Sequence, residues 1–392
     1  MHIAFWSPAL PADGAANGIV TYVDVMMHAL ERAGHAVTVM ARSGVRLPSG
    51  EIRRTSDARP LAERVRRRLP GDTFAKAGAR MIRRRFATAR RHGPIDVFEI
   101  EESFGWAGHL VGRLGCPVVV RMHGPHFVGR PVIETPEAKA LSDRREIWER
   151  HAFASADAVT SPSERLLTAT LAYTKVRPAI SEVIPNPIEA IPQAARWSRS
   201  TADPKHILCV GRFDLRKGAD IVLRAFAKAA ARDPDIRLTL VGPDIGLARE
   251  NAPPIHFAEF VAEAIPADIR SRIAFTGPLS RAEITELRRQ AGITIVGSRF
   301  ENFAYSVAEA MAAGAPLIVS DSFGNGEMVE DGVTGLVVPI GDVDRTADAI
   351  LRMAGDPDDA AAMGARSRAK CTDWLNPARI AAETVALYER LG

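Results

Sequence analysis

Short apolar runs alternate with longer stretches of helical period along the whole chain. In the first half the runs fall at 2–7, 36–41, 96–100, 117–122 and 158–160, with helical stretches between them, notably 19–32 and 137–154. Strand-sized runs alternating with helices are the mark of parallel α/β units. The segment Val-Ile-Pro-Asn-Pro-Ile-Glu at 183–189 can continue neither element and reads as a linker. A second set follows, with strands at 206–210, 237–241, 273–275, 293–296, 316–319 and 335–338. Its helices are expected at 219–231, 281–290, 307–313, 343–354 and 358–370. The pattern predicts two consecutive α/β domains, each a doubly wound parallel sheet. The closing stretch 373–391 is amphipathic, with Ile380, Val385, Leu387 and Tyr388 among its apolar positions.

A length of 392 residues exceeds what one core usually organises, which agrees with two domains of roughly 180 residues. The three cysteines, Cys116, Cys209 and Cys371, lie far apart with no Cys-x-x-Cys, which speaks against a disulfide framework or zinc site and for a reducing compartment. The start has no charged region ahead of its short apolar run, so no signal peptide is read there. No apolar run approaches the 18 residues of a membrane span. A cytoplasmic location is the expectation.

Two carboxylates raise the first chemical question. In Ser-Arg-Phe-Glu-Asn-Phe-Ala-Tyr-Ser-Val-Ala-Glu (298–309), Glu301 and Glu309 are eight residues apart. A continuous helix would rotate 800° over that distance and would not put both on one face. Glu301 is therefore expected in a loop leaving a strand and Glu309 in the first turn of the next helix. Both would face the crevice at the strand's C-terminal end, where open α/β sheets bind ligands. Ser306-x-x-Glu309 also fits a capping box, which leaves Glu301, Asn302 and Phe303 unexplained.

Gly-Arg-Phe-Asp-Leu-Arg-Lys-Gly (211–218) directly follows the strand at 206–210. A helix N-terminus attracts anions and disfavours cations, so Arg212 and Lys217 at that spot ask for an anion. Arginine suits bidentate recognition of phosphate oxygens, and lysine serves as a point charge. Together they would neutralise a diphosphate. The segment is not a Walker loop, and Gly-x-Gly-x-x-Gly follows neither first strand. Weaker signals are the small-residue loop ending at Asn17-Gly18, His123-Gly124 just past a strand, and Gly277-Pro278-Leu279 at another strand end.

In this order and spacing the pieces resemble the retaining glycosyltransferases of family 4, which have the GT-B fold. The matching residues are the Gly18 loop, His123-Gly124, Pro185-Asn186-Pro187, Gly211-Arg212 with Lys217-Gly218, Phe275-x-Gly277, Glu301-x7-Glu309 and Gly335-Leu336-Val337. The resemblance runs nearly end to end, strongest over 205–340 and weakest over 45–95. It implies two Rossmann-like domains facing a cleft: 1–187, completed by a crossover helix at 373–392, for the acceptor, and 188–372 for a nucleotide-sugar donor. By position it implies that Arg212, Lys217 and Gly18 bind the donor diphosphate. Glu309 would hold the ribose and Glu301 a sugar hydroxyl, assisted by backbone at Phe303, Ala304 and Tyr305. The base would lie by Gly277, Pro278 and Leu279, and His123 near the reacting centre, making His123 and Glu301 the catalytic candidates. The expected reaction is transfer of a hexose-type sugar from UDP or GDP to a glycan, lipid-linked or small-molecule acceptor. It would proceed with retention and with no required metal, as in synthesis of cell-surface polysaccharide or glycolipid. A sugar-nucleotide epimerase or hydrolase is the runner-up, and a non-catalytic nucleotide-sugar-binding subunit comes third. Two departures stand out: Asn17-Gly18 replaces the paired glycines of many members, and Asn302 and Ala304 stand where glycines are frequent.

Charge changes the picture in one place. The net charge is +4, yet residues 51–92 carry 14 Lys and Arg against four acids, leaving the rest of the chain near −6. Leu61, Val65 and Leu69, then Phe74, Met81, Ile82 and Phe86, permit two amphipathic helices with a cationic side. An anionic membrane surface is the candidate partner for 53–92, where each Lys or Arg contributes about 1 kcal/mol. A solvated face or an anionic acceptor are the alternatives. Nucleic acid is not expected, because stacking aromatics are not interleaved with the charge.

Overall fold

The computed structural model describes residues 1–14, 17–55, 73–130, 136–250 and 252–392. Two compact units divide the chain: unit 1 is Met1–Glu189 with Leu375–Gly392, and unit 2 is Ala190–Trp374.

Unit 1 is built on eight strands: β1 (His2–Trp6), β2 (Ala36–Ala41), β3 (Gly44–Arg46), β4 (Ile52–Arg54), β5 (Val97–Glu101), β6 (Val118–Arg121), β7 (Ala158–Ser161) and β8 (Ser181–Val183). Their order is β4-β3-β2-β1-β5-β6-β7-β8. From β2 to β8 the neighbours are parallel, while β3 and β4 form an antiparallel edge that the apolar pattern did not announce. β1 and β5 to β7 are buried almost throughout, as strands covered by helices on both faces must be. Chain order reverses between β1 and β5, which makes the C-terminal end of that pair a binding crevice by topology. Helix Gly18–Arg32 enters from the first loop with Asn17 as its cap, whose Oδ1 accepts the Ile19 N–H at 2.8 Å. Helix Pro377–Glu389 returns to this unit. Its Tyr388 hydroxyl donates to buried Glu99 on β5 at 2.7 Å, and Tyr22 donates to the other oxygen at 2.9 Å. Two hydroxyl donors are how a carboxylate is tolerated in an apolar sheet.

Unit 2 has β9 (Asp203–Val210), β10 (Arg237–Val241), a hairpin of β11 (Leu247–Arg249) and β12 (Ala252–Ile255), then β13 (Ile273–Phe275), β14 (Ala291–Val296), β15 (Leu317–Ser320) and β16 (Leu336–Val338). The main sheet runs β13-β10-β9-β14-β15-β16, parallel throughout. Its reversal falls between β9 and β14. Helix Ala219–Arg232 buries Val222, Leu223 and Phe226 in the core of this unit, each contributing about 1.5–3 kcal/mol. The two loops leaving the reversal point, 211–218 and 297–304, carry Arg212, Lys217, Glu301, Phe303 and Ala304 among the residues that the sequence singled out.

Of the two amphipathic helices expected in the basic segment, one is described, Thr73–Arg90, with Phe74, Ile82 and Phe86 buried. Residues 61–69 lie outside the described residues. A further helix, Glu164–Thr174, was not expected; Ser163 caps it, accepting the Leu166 N–H at 3.2 Å.

Candidate functional site

The two loops at the reversal point of unit 2 are stitched together. Arg299 grips Asp220 with both guanidinium nitrogens at 2.7 Å, and also donates to the Leu215 carbonyl at 2.7 Å. Its backbone N–H donates to the Arg216 carbonyl at 2.8 Å. The loops approach so closely at Gly218 that a Cβ there would lie 1.9 Å from the Gly297 carbonyl oxygen, and φ is +67°. Only glycine fits both demands. On the far side, a Cβ on Gly324 would lie 1.8 Å from the Asn302 carbonyl oxygen.

This frame brings Lys217 onto Glu301, 84 residues further on, where its ammonium donates to the carboxylate. Glu301 is only 6% exposed. Burial alone would raise its carboxyl, but the charges of Lys217, Arg216 and Arg212 outweigh that and hold it below its ordinary value. Arg212 pairs with Asp214 at 2.6 Å, and the other Asp214 oxygen accepts the Lys217 N–H at 2.7 Å. The protein's own acids therefore answer part of the demand that cations create at this helix N-terminus. Four cations (Arg212, Arg216, Lys217, Arg299) against three carboxylates (Asp214, Asp220, Glu301) still leave one positive charge in excess. Arg212, Lys217, Gly211, Phe275, Gly297 and Ser298 are among the residues lining a recess at this edge.

Glu309 differs from expectation. Helix Tyr305–Ala313 begins at Tyr305 with Ala304 as its cap, so Ser306 is already inside it and no capping box forms. Glu309 sits one turn deeper than the first turn. It is held by buried Arg288 at 2.8 Å, with Arg281 at 3.8 Å. Phe303 is buried against Trp374, with ring centroids 6.0 Å apart, and Ala304 is buried beside it. Gly277 has φ +71° with open space where a Cβ would stand, next to Phe275, which stacks on Phe257 at 4.5 Å. Leu279 packs below against Leu208, Val241 and Ala291.

In unit 1, His123 follows β6 at the crevice edge. Its ring meets Tyr22 edge-on at 5.0 Å. Burial and neighbouring Arg121 hold the imidazole far below its usual range, so it is neutral at physiological pH. Arg121, itself 1% exposed, donates to the Ile184 carbonyl at 2.6 Å and to Asn186 Oδ1 at 2.7 Å, tying the proline-rich segment to β6. Gly18 opens the first turn of its helix.

Sequence reasoning missed the Arg299–Asp220 clasp, Arg288, and the buried acids Glu102 and Glu149 near His123. The sequence holds three Asp-x-Asp triplets, at 233–235, 342–344 and 356–358. In the first, Asp233 pairs with Lys205; in the second, Asp342 caps a helix and Asp344 pairs with Lys228; in the third, Asp356 accepts the Asp359 N–H and Asp358 pairs with Arg199. Among the described residues no group of three or more His, Cys, Asp and Glu side chains is placed to hold a metal.

Comparison with known proteins bears on both units. A family model described as glycosyl transferases group 1 matches residues 193–370, and one described as glycosyltransferase family 4 matches 16–190. A D-inositol 3-phosphate glycosyltransferase from Kribbella flavida is 30% identical over 382 residues, covering 90% of this chain and 86% of its own length. Among solved structures, sucrose-phosphate synthase from Thermosynechococcus elongatus superposes with a TM-score of 0.76 at 24% identity, covering 100% of this chain and 98% of its own. Anabaena HepE, solved in complex with UDP-glucose, gives 0.66 at 18% identity, covering 99% and 100%. These likenesses establish the fold as GT-B, and with both halves matched this chain belongs to the glycosyl transferases of group 1, glycosyltransferase family 4.

Proposed function

We propose that the protein transfers a hexose-type sugar from UDP or GDP to a glycan, lipid-linked or small-molecule acceptor, with retention of configuration and without a required metal. The observation that carries this reading is the contact of Lys217 with buried Glu301 at the reversal point of unit 2, flanked by Arg212 and a helix N-terminus. Arg212 and Lys217, with Gly18, are assigned to the donor diphosphate. Glu301 is assigned to a sugar hydroxyl, with the backbone at Phe303, Ala304 and Tyr305 beside it. Glu309 is assigned to the ribose, and Gly277, Pro278 and Leu279 to the base. His123, neutral, offers a hydrogen bond to the sugar.

As the bond from the anomeric carbon to the phosphate oxygen breaks, negative charge gathers on the leaving diphosphate. Fixed cations stabilise it most effectively where water is scarce. The acceptor oxygen bonds to the anomeric carbon on the same face, and its proton passes to the departing phosphate. No covalent sugar–enzyme link is needed. A thermal-shift panel of UDP- and GDP-sugars, run with a chelator present, is expected to raise the melting temperature for one base class. NMR of the product is expected to give the donor's anomeric configuration. An inverted product, or donor breakdown without acceptor as the main activity, would overturn the reading.

The basic helix bears on where the acceptor is met. Lys76, Arg80, Arg83 and Arg84 fall within an arc of about 100° on the exposed side of Thr73–Arg90. Among the described residues Arg80, Arg83 and Arg84 have no acid partner. The apolar side of this helix is spent in the core of unit 1, so attraction to a membrane would be electrostatic and salt-sensitive. Among the described residues no helix is long and apolar enough to cross one. Peripheral association with anionic lipid at the inner membrane face is therefore part of the proposal. Sedimentation with anionic vesicles at low salt, reversed in Arg80→Glu/Arg84→Glu, is the expected result. Equal binding to neutral vesicles, or none to either, counts against it.

A further inference from the structure

The turn His123-Gly124-Pro125-His126 has three backbone N–H groups, since proline has none, and each goes to a buried carboxylate. Glu102, just past β5, accepts the His123 N–H at 2.9 Å on one oxygen and the Gly124 N–H at 2.6 Å on the other. Glu149, on helix Pro136–Ser155, accepts the His126 N–H at 2.6 Å. Its second oxygen takes Arg145 Nε at 2.8 Å, and that guanidinium lies over the Phe104 ring. Glu102 and Glu149 are 1% and 3% exposed.

This is a costly way to hold a turn. Burial raises both carboxyls, that of Glu149 to about 8, and Glu101 next door is raised to about 7. A surface turn would satisfy its N–H groups with water or main-chain carbonyls at little expense. Both oxygens of each buried carboxyl accept from fixed donors, and an acceptor held at two points fixes direction as well as distance. The turn begins at His123, two residues past the end of β6, so the aim of its backbone is the aim of that side chain.

We propose that Glu102 is a positioning residue for His123, with Glu149 holding the other end of the same turn. This rests on the reading that His123 contacts the donor sugar. Glutamine at 102 would offer one acceptor and one donor to two N–H groups, so one of them is left facing another N–H. A displacement near 1 Å at a reacting centre can cost about 100-fold in rate.

The test is steady-state turnover and melting temperature for Glu102→Gln, Glu102→Asp, Glu149→Gln, His123→Ala and the double variant Glu102→Gln/His123→Ala. For Glu102→Gln we expect kcat to fall about 10- to 100-fold while the donor KM changes less than about twofold, since the groups assigned to the diphosphate are untouched. Glu102→Asp, which keeps two acceptor oxygens, should recover part of the loss. Glu149→Gln should show the same split and serves if Glu102→Gln does not fold. If Glu102 acts through His123, the double variant will be no slower than His123→Ala alone. Multiplying losses in the double variant, or unchanged kcat in Glu102→Gln beside a crippled His123→Ala, would overturn this inference only. Full turnover in His123→Ala would instead sink the assignment of His123, and this inference with it.

Discussion

Lys217→Ala is expected to weaken donor binding about 100-fold and to unfold the protein at a lower temperature, and the two losses have different causes. The first is removal of a charge-assisted hydrogen bond donor, a class of contact worth about 1.5–3 kcal/mol. The second comes from Glu301, left as a buried carboxylate without its closest cation. Breaking a buried pair from one side costs about 3–5 kcal/mol, and the low end applies because Arg216 and Arg212 remain near. For a unit of this size that corresponds to a drop of roughly 6–12 °C. Adding Glu301→Gln separates the two: the melting temperature should recover, and donor affinity should not. Unchanged affinity in Lys217→Ala, measured by calorimetry, would remove the diphosphate assignment.

Gly218→Ala should be as damaging although it removes no functional group. A Cβ in the left-handed region costs about 1–2 kcal/mol by itself. Here it also meets the Gly297 carbonyl oxygen at 1.9 Å, backbone against backbone, so the loops at 211–218 and 297–304 must part. Parting them pulls Lys217 from Glu301 and strains the Arg299–Asp220 clasp. A total of about 3–4 kcal/mol is expected, with donor affinity lost alongside. Gly277→Ala is the control, since its φ is +71° but nothing stands within 4 Å of the added carbon. It should cost only the backbone strain. Equal destabilisation of the two variants would show that crowding at Gly297 is not what fixes the loops.

How much of this was legible in the sequence depended on the reach of each signal. Strands buried on both faces leave apolar runs, and nearly all of those became strands; the short antiparallel pair β3 and β4 did not, because β4 is exposed along its length. The cations of 211–218 were readable because they sit against the helix dipole. That Lys217 would meet Glu301 was not, since only the sheet order places β9 beside β14. Ser306-x-x-Glu309 matched a capping box that does not form, since helix Tyr305–Ala313 already contains Ser306, and Arg288, 21 residues before Glu309, left no local trace. Ser163 followed by Glu164 was a usable cap signal for helix Glu164–Thr174. The carboxylate clamp on 123–126 could not be read, because its partners are main-chain groups with no letter in the sequence.

One feature of the chain's path reaches back to its synthesis. Unit 2 is an unbroken stretch, 190–374, nested inside a unit 1 that is cut in two, and the cut ends adjoin, the Ile188 N–H donating to the Leu375 carbonyl at 3.1 Å. Emerging from the ribosome, the second unit has all of its residues before the first does. Until the last 18 residues arrive, Glu99 lacks the Tyr388 hydroxyl that makes its burial tolerable. The half that is begun first is therefore the half that is finished last.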